Sequence, residues 1–485
     1  MAGSDSALKS PITFGLSGGL ASSQVETIHR AVLGILDETG LECKHPRTVD
    51  AATAEAGIRF ENGRLKFSPD FVESTIDRVR AIGRRHRPAE RLSLSGPFTA
   101  FSIEDMDTGE VRPTRAADLI PMLKLVATYN DHGPAPVFPW DLDDRIQILW
   151  LEKTCLEFAP GLGGSLVSNS RETDRWLGEL HAAVGRRYGL VQQFIISPLR
   201  LDHIALEELW HYRDDPLIDC YPSLCPMPVG GTTAPLFAPG LLAQGIAESL
   251  GGLIVAHRLG FVGDDTLPTL RVDYGDMRHM ILAYSIPENV MIQVLLRDLS
   301  LHFCGRPMEG LYLNTNAKRA DPLATLDRMA YMLMLGLAGY RRFFLGAGLL
   351  SMDEVFSPAQ FVIDMEICRY VQGVLDGMLW LDDAESIVQA VAEGVAEGNF
   401  LTHPSTLEAL HTVFDSKLFR RDSVAQWRAS GAPKVEQLAV TEARALIDAY
   451  HFELDTDKQN RLDSVFTEAC RALGVDPDSQ PLPRR

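Results

Sequence analysis

The sequence is poor in cysteine, in basic residues and in long apolar runs. Its seven cysteines are few, odd in number and scattered, which argues against a disulfide framework and for a reducing compartment. Lys and Arg number 46 against 65 Asp and Glu, and the net charge of −19 argues against a general nucleic-acid binder. No apolar run is long enough to span a bilayer, and the N-terminus does not resemble a secretion signal. We therefore expect a cytoplasmic protein that contacts neither nucleic acid nor membrane.

No GxGxxG motif follows a strand pattern, which argues against a dinucleotide-binding fold. From Pro97 onward, short apolar segments alternate with helical patterns, and we find roughly eight such segments. This alternation favours a parallel sheet closed as a TIM-type (β/α)8 barrel over an open sheet. The fold class expected is therefore α/β.

Three regions are predicted along the chain. Residues 1–90 form an N-terminal helical segment, in which Ser23 and Glu26 have the spacing of a capping box and Gly40 ends the first helix. Residues 91–360 form the α/β barrel. Residues 361–485 form C-terminal helices that pack on it.

The segment 307–322, PMEGLYLNTNAKRADP, is typical of an active-site loop. Leu311 to Leu313 form a short apolar strand, a polar stretch follows, and Asp321 with Pro322 begins a helix. In α/β barrels, catalytic groups lie after the C-terminal ends of the strands. We therefore expect the site at this loop.

Five segments, spread in order over nearly the whole chain, resemble the trimethylamine methyltransferase family. They are TIHRAVLGILDETGLECKHP, PMPVGGTTAPLFAPGLLAQGIAESLGGLIVAH, DYGDMRHMILAYSIPE, NTNAKRADPLATLDRM and FLTHPSTLEALHTVFDSKLFRRDSVAQWRASGA. The resemblance implies a corrinoid-dependent methyltransferase built on an α/β barrel. It implies transfer of a methyl group from an amine to a cobalamin (corrinoid) cofactor that a partner corrinoid protein carries. No tightly bound cofactor is then expected in this chain, and we expect a homo-oligomer.

The family branch that acts on trimethylamine contains pyrrolysine, whereas this chain has only standard residues. The branch that lacks pyrrolysine acts on quaternary amines, so the resemblance points to glycine betaine or a similar betaine. Two alternatives stay open at this point. One is a trimethylamine methyltransferase of the same fold, and the other is a non-catalytic betaine-binding protein.

The chemistry of a quaternary amine agrees with the absence of an evident acid–base pair. Such an amine leaves as a neutral molecule when a nucleophile takes its methyl group, so no general acid is required. The enzyme has to hold the cation, align one methyl group and exclude water. We therefore assign no catalytic residue.

Aromatic faces bind quaternary ammonium groups, and each contact contributes about 0.5 to 2 kcal/mol when water is excluded. Any one of these rings could instead fill the core. Trp140 and Tyr312 rank first because polar loop residues follow them closely. The aromatic candidates near strand ends are Phe138, Trp140, Tyr221, Phe261, Tyr274, Tyr312, Phe343 and Phe344.

A betaine carboxylate also requires hydrogen-bond donors. For the charged candidates, an ion pair at the surface is the competing interpretation. The donors that we consider are Arg271, Arg278, His279, Asn314, Asn316 and Lys318.

We predict no metal site. His302 and Cys304 are separated by one residue, and in a continuous helix their side chains point well apart, since each residue turns by about 100°. No third ligand at a suitable spacing is evident. Cys220 and Cys225 are interpreted as buried thiols.

Overall fold

The structure is a computed structural model that describes residues 9–16, 18–87, 89–130, 132–164, 170–307, 311–380 and 382–477. Helices dominate these ranges. They are α1 (Ser22–Gly34), α2 (Pro46–Thr53), α3 (Pro69–Arg85), α4 (Ala116–Ala127), α5 (Gln147–Phe158), α6 (Arg171–Ala183), α7 (His203–His211), α8 (Ala238–Arg258), α9 (Pro287–Cys304), α10 (Pro322–Leu337), α11 (Pro358–Asp376), α12 (Ala384–Glu397), α13 (Pro404–Ala409), α14 (Val424–Ala429), α15 (Val435–Ala449) and α16 (Thr456–Ala472).

The strands are short, and none of those described exceeds five residues. They are β1 (Lys9–Ile12), β2 (Leu41–Glu42), β3 (Ile58–Glu61), β4 (Arg64–Phe67), β5 (Ser93–Leu94), β6 (Ser102–Glu104), β7 (Val111–Pro113), β8 (Tyr188–Gln192), β9 (Ile195–Ile196), β10 (Arg200–Leu201), β11 (Ile218–Pro222), β12 (Val229–Gly230), β13 (Asp273–Asp276), β14 (Ile281–Leu282), β15 (Leu311–Tyr312), β16 (Arg342–Phe344), β17 (Leu349–Leu350), β18 (Val355–Phe356) and β19 (Met378–Trp380).

The mixed α/β class is confirmed, and several neighbouring strands are parallel. β8 pairs with β11, β12 with β13, and β5, β16 and β15 form one parallel sheet. The closed barrel is not confirmed, because the described strands form six separate small sheets. Most ladders end after two residue pairs.

In the N-terminal region, the predicted position of α1 is confirmed, but the predicted capping box of Ser23 and Glu26 is wrong. The helix begins at Ser22, and the side chain of Gln24 accepts a hydrogen bond from the backbone N–H of Ala21 at 2.8 Å. Gly40, with φ of 64°, ends the continuing π-turn Ile35–Thr39, as its sequence position indicates. The strand predicted at residues 64–67 is β4, and it joins β2 and β3 in a sheet that also contains β9 and β10.

The main apolar core lies between the helices and the short sheets. α8 is central, with buried residues from Leu241 to Ala256, and it is the one described helix long and apolar enough to cross a membrane by length and composition. Because 83% of that apolar window is buried inside the protein, α8 has the character of a core helix. All seven cysteines are free thiols.

The C-terminal helices differ in how they pack. α15 packs on α11 through buried Ala439 and Ala443, and α16 packs on α5 and α6 through Leu462 and Phe466. In α12, by contrast, Gly394 is the one buried residue. This region also contains β19, which pairs antiparallel with β1.

Candidate functional site

The polar loop after β15 is fixed in place by Asn316. Its Oδ1 accepts hydrogen bonds from the backbone N–H groups of Tyr284 at 2.7 Å and Ser285 at 2.9 Å. Its Nδ2 donates to the carbonyl of Leu282 at 2.8 Å. Asn316 therefore ties the loop to the segment after β14, and these bonds occupy the amide that we considered for substrate binding.

A second loop, residues 351–353, lies against the first. The N–H of Ser351 donates to the carbonyl of Ala317 at 2.8 Å, and that of Met352 donates to the carbonyl of Thr315 at 3.0 Å. Ser351, Met352 and Asp353 have φ values of 51°, 58° and 77°. Three consecutive non-glycine residues in the left-handed region store backbone strain, which is a feature concentrated at functional sites.

Arg328 of α10 holds both loops in place through hydrogen bonds. Its side chain is completely buried and forms an ion pair with Asp364 at 3.2 Å. It also donates to the carbonyls of Leu313, Gly346 and Leu349. One guanidinium thus satisfies the carbonyl groups at the strand ends where the ladder of β15 and β16 stops.

A pocket of about 540 Å³ opens between these loops and β6. Phe101, Lys318 and Glu354 belong to its lining, together with Ser351. The ammonium of Lys318 donates to Ser351 Oγ at 2.9 Å, and Ser351 Oγ in turn donates to Glu354 Oε2 at 2.8 Å. The ammonium has three donors, so this contact leaves capacity for an anionic group in the pocket.

Phe101 lines this pocket, and Phe138 and Trp140 pack on it; we call these three rings the aromatic trio. Their ring centroids lie 4.9 to 6.0 Å apart, and the planes are tilted or edge-on. The parallel bridge between Ala100 and Val137 brings the residues that follow it together. Phe101 is 51% exposed and Trp140 48% exposed, so their faces are open to a ligand.

Beside the loops lies a tight polar cluster around Arg271, which we call the Arg271 cluster. Its guanidinium stacks 3.7 Å from the ring centroid of Tyr312 and donates from Nε to Asp273 at 2.7 Å. Burial alone would lower the pKa of Arg271, but the charge of Asp273 and the surrounding hydroxyl and thiol groups raise it. Burial raises the pKa of Tyr312 to about 12 and also raises that of Tyr284. The cavity lined by this cluster is about 10 Å³, too small for an amine substrate and close to what one water needs.

Asn314 and Asp353 form a pair next to this cluster. Asn314 Nδ2 donates to Asp353 Oδ2 at 3.2 Å. Asn314 Oδ1 and Asp353 Oδ1 are both buried and have no hydrogen-bond partner among the described residues. Burial raises the pKa of Asp353 to about 6, although Arg271 opposes the shift. Two unpaired acceptors at this point suit a ligand that is cationic or donates hydrogen bonds.

The remaining aromatic and basic candidates are spread over the molecule. Phe344 contacts Tyr312 edge-on with centroids 6.2 Å apart, whereas Phe343 is buried against Tyr331. The other candidates do not line the 540 Å³ pocket. Tyr221 is 49% exposed at β11, Tyr274 lies on β13 beside Gly230, and Phe261 packs on Trp210. Arg278 and His279 lie on an exposed turn, where His279 Nδ1 is 2.8 Å from Asp276.

His302 and Cys304 lie in a continuous helix, as we assumed when we predicted no metal site. His302 Nε2 is 2.8 Å from His29 Nδ1, and His29 Nε2 is 2.6 Å from Glu73. Cys304 is buried at the end of α9, where burial raises the pKa of its thiol to about 12. Within the described residues, no group of three potential metal ligands is present.

A larger cleft of about 740 Å³ lies elsewhere, between α4, α5 and the segment that joins α15 to α16. Its polar side chains are engaged with one another: Lys153 pairs with Glu157 and with Asp463 at 2.9 Å. None of the candidate site residues lines it. Volume alone therefore does not identify the functional site, and we assign it to the loop pocket.

Two residues of the site escaped the sequence analysis. Phe101 belongs to an apolar segment that we treated as strand, and its position next to the bridged Ala100 is the signal that could have identified it. Asp353 lies in a turn whose left-handed backbone has no sequence signature, because neither glycine nor asparagine is present there.

Comparison with known proteins places these features in a family. A family profile described as "Trimethylamine methyltransferase (MTTB)" matches residues 14–471. Trimethylamine methyltransferase MttB of Desulfitobacterium hafniense (strain DSM 10664 / DCB-2) is 23% identical over 457 residues, which is 90% of this chain and 90% of that protein. Glycine betaine methyltransferase of Desulfitobacterium hafniense (strain Y51) is 24% identical over 414 residues, or 80% of this chain and 83% of that protein.

A third relative, trimethylamine methyltransferase MttB2 of Methanosarcina mazei (strain ATCC BAA-159 / DSM 3647 / Goe1 / Go1 / JCM 11833 / OCM 88), is 24% identical over 254 residues, 51% of this chain and 49% of that protein. The α/β fold and these relatives support a protein of methyltransferase type. The chain belongs to the trimethylamine methyltransferase family.

Proposed function

We propose that this protein transfers a methyl group from a quaternary amine, glycine betaine or a similar betaine, to the cob(I)alamin-type cofactor of a corrinoid protein. The observation that carries the proposal is the pocket of about 540 Å³, which Phe101 and Lys318 line and beside which Phe138 and Trp140 pack on Phe101. The rings suit a quaternary ammonium and the lysine suits a carboxylate, which are the two ends of a betaine. Membership of the family and the all-standard sequence support the same substrate class.

In this proposal the chain binds and orients, and it moves no proton. The aromatic trio holds the trimethylammonium group, and Lys318 fixes the carboxylate so that one methyl group points out of the pocket. The bond between this methyl carbon and nitrogen breaks, and the electron pair stays on the nitrogen of the neutral leaving amine. The cofactor supplies the methyl acceptor when its carrier protein docks. The strained loop 351–353 and the Arg271 cluster keep these groups in fixed positions.

A trimethylamine substrate is the second candidate, and the Asn314–Asp353 pair favours it. The free Oδ1 atoms of both side chains can accept a hydrogen bond from a protonated tertiary amine, whereas a quaternary amine has no N–H to donate. The 23% identity to a trimethylamine methyltransferase over 90% of both chains adds to this candidate.

Incubation of the purified enzyme with cob(I)alamin and single amines tests the proposal. Glycine betaine should yield methylcobalamin and dimethylglycine, and Lys318→Met should raise KM for glycine betaine far more than for a methylated amine without a carboxylate. Turnover of trimethylamine alone would establish the second candidate. Saturable betaine binding without methyl transfer, even with the cognate corrinoid protein, would instead identify a non-catalytic binding protein.

Several broader features belong to the same proposal. We propose that the parallel strand pairs are parts of a barrel of residues 91–360, preceded by the segment 1–90 and followed by the helices of 361–485. We also propose a cytoplasmic protein that binds no cofactor tightly and forms a homo-oligomer.

A further inference from the structure

The C-terminal region exposes many apolar side chains among the described residues 378–380 and 382–413, which we call the 378–413 surface. From residue 382 to 413, only Gly394 and His403 are buried. Twelve large apolar side chains on this surface are between 39% and 80% exposed: Met378, Leu379, Trp380, Ile387, Val388, Val391, Val395, Phe400, Leu401, Leu407, Leu410 and Val413.

The exposed apolar side chains of α12 lie on one side of the helix. Ile387, Val388, Val391 and Val395 follow helical spacing and form one apolar side that nothing described in the chain covers. Phe400 packs against Gly394 at the edge of this side and leaves the four side chains exposed. A helix of 14 residues is marginal in water when it is isolated, so most of its stability has to come from burying an apolar side.

The size of the surface suits a stable protein interface. Twelve half-exposed apolar side chains present on the order of 1,000 Å², whereas the largest apolar patch on a typical monomer is about 300–600 Å². A standard protein–protein interface buries about 800 Å² on each partner. The strand β19 adds to the surface with three exposed side chains and one unpaired edge within the described sheet β1–β19.

The distribution of charge indicates which partner fits. Residues 370–416 contain eight Asp and Glu but no Lys or Arg. The following segment, 417–434, is exposed over most of its length and has the opposite balance, with five basic residues and one acidic residue. Both halves of a complementary pair are therefore present in one chain. In two copies related by a two-fold axis, the acidic stretch of each copy can pair with the basic segment of the other, because each contact then occurs twice.

We propose that the 378–413 surface is the interface with a second copy of this chain. The apolar side of α12 lies at its centre, and the acidic stretch 370–416 of each copy faces the basic segment 417–434 of the other. The apolar area supplies the affinity, and the charges select the second copy and its orientation.

Sedimentation velocity of the full chain tests this interface. The wild-type protein should sediment as a dimer of the 53.5 kDa chain at micromolar concentration. The double variant Val388→Glu/Val391→Glu places two charges on the apolar side, and it should weaken the dimer by a factor of about 100 or more. Glu has a higher helix propensity than Val, so α12 itself should persist, which circular dichroism can verify.

Gln389→Glu/Ala396→Glu is the matched control, since it adds the same two charges on the other, exposed side of α12 and should leave the dimer intact. A wild-type chain that stays monomeric would overturn the proposal, and so would an oligomer that the double variant does not weaken. A dimer that strengthens steadily with added salt would overturn the pairing of acidic and basic segments.

Discussion

Lys318, Phe101 and Trp140 reach one region from three separate loops, and each brings a different chemical capacity. Trp140 contacts Phe101, and Phe101 and Lys318 both line the pocket. The ranking of Trp140 and Tyr312 as first aromatic candidates stays a prediction, but their surroundings differ. Tyr312 already stacks on Arg271, whereas Trp140 is half exposed.

Trp140→Ala should weaken betaine binding by about 0.5 to 2 kcal/mol, or roughly 2- to 30-fold in Kd, because one cation–π contact is lost. Titration calorimetry measures this change. Phe60→Ala, an exposed aromatic on β3 far from the pocket in sequence and sheet, serves as the control and should leave Kd unchanged. Equal affinity of the Trp140→Ala variant and the wild type would return this ring to a structural role. Tyr312→Ala is also expected to weaken binding, although it additionally removes the ring that covers Arg271.

Asp353 predicts a pH dependence of amine binding. Its pKa of about 6 lies above the usual carboxyl value, so the group gains its negative charge as the pH rises through about 6. The affinity for a cationic amine should therefore increase between pH 5 and about pH 7, and Asp353→Asn should abolish the increase. If Kd of the wild type is independent of pH in this window, Asp353 does not face the bound cation. A larger loss for trimethylamine than for betaine in Asp353→Asn would indicate a hydrogen bond to the amine N–H.

At the scale of elements, close helix contacts fix the frame that carries the loops. α3 and α9 approach each other at Gly83, where an added Cβ would lie 1.7 Å from the carbonyl oxygen of Cys304. Because that neighbour is backbone, it cannot rotate away. Gly83 lies in the last turn of α3, close to the end of the predicted N-terminal segment 1–90.

Gly83→Ala should therefore lower the free energy of unfolding by about 1–3 kcal/mol, since the two helices have to separate. Gly34→Ala is the matched comparison within α1, because the one neighbour of its added Cβ is the flexible end of Glu38 at 4.0 Å. That change should stabilise the protein by up to about 1 kcal/mol through helix propensity. Urea denaturation of both variants measures the difference, and equal stability of the two would contradict the tight crossing.

At the scale of the whole molecule, the N-terminal helices join the rest through a histidine pair. His29 of α1 and His302 of α9 are 2.8 Å apart, with Glu26, Glu73 and Arg80 around them. Burial and the neighbouring His29 and Arg80 lower the pKa of His302, although Glu26 and Glu73 oppose the shift. Protonation of His302 therefore works against the docking of α1 and α3 on α9.

The melting temperature should fall on acidification. When the pKa of a histidine is lower in the folded state, the unfolded state binds more protons at acidic pH. The contribution of His302 to stability is therefore fully present above the unfolded pKa of about 6.5 and is lost as the pH falls below it. Thermal melts between pH 5 and pH 8 should show a smaller pH dependence for His302→Gln than for the wild type. An identical pH dependence in the two proteins would show that the pair does not contribute.

From the sequence alone, the α/β class, the family and the positions of α1 and α10 could be predicted. Helical spacing with a final glycine in α1 and the Asp321–Pro322 start of α10 are local signals, and both helices lie close to where these signals place them. The family could be recognised from the sequence because the resembling residues are distributed over many positions. Local patterns did not determine how the short strands join, since register and closure depend on contacts between distant segments.

Which candidates lie near one another depends on the tertiary structure. Lys318 and Phe101 line one pocket, with Phe138 and Trp140 packed on Phe101, whereas Asn316 holds the loop and His279 lies on an exposed turn. It also revealed Asp353, because a buried carboxylate acquires its unusual pKa from its surroundings and not from its neighbours in sequence. The exposed side of α12 belongs to the same category, since apolar spacing predicts a buried side but cannot say whether the same chain covers it.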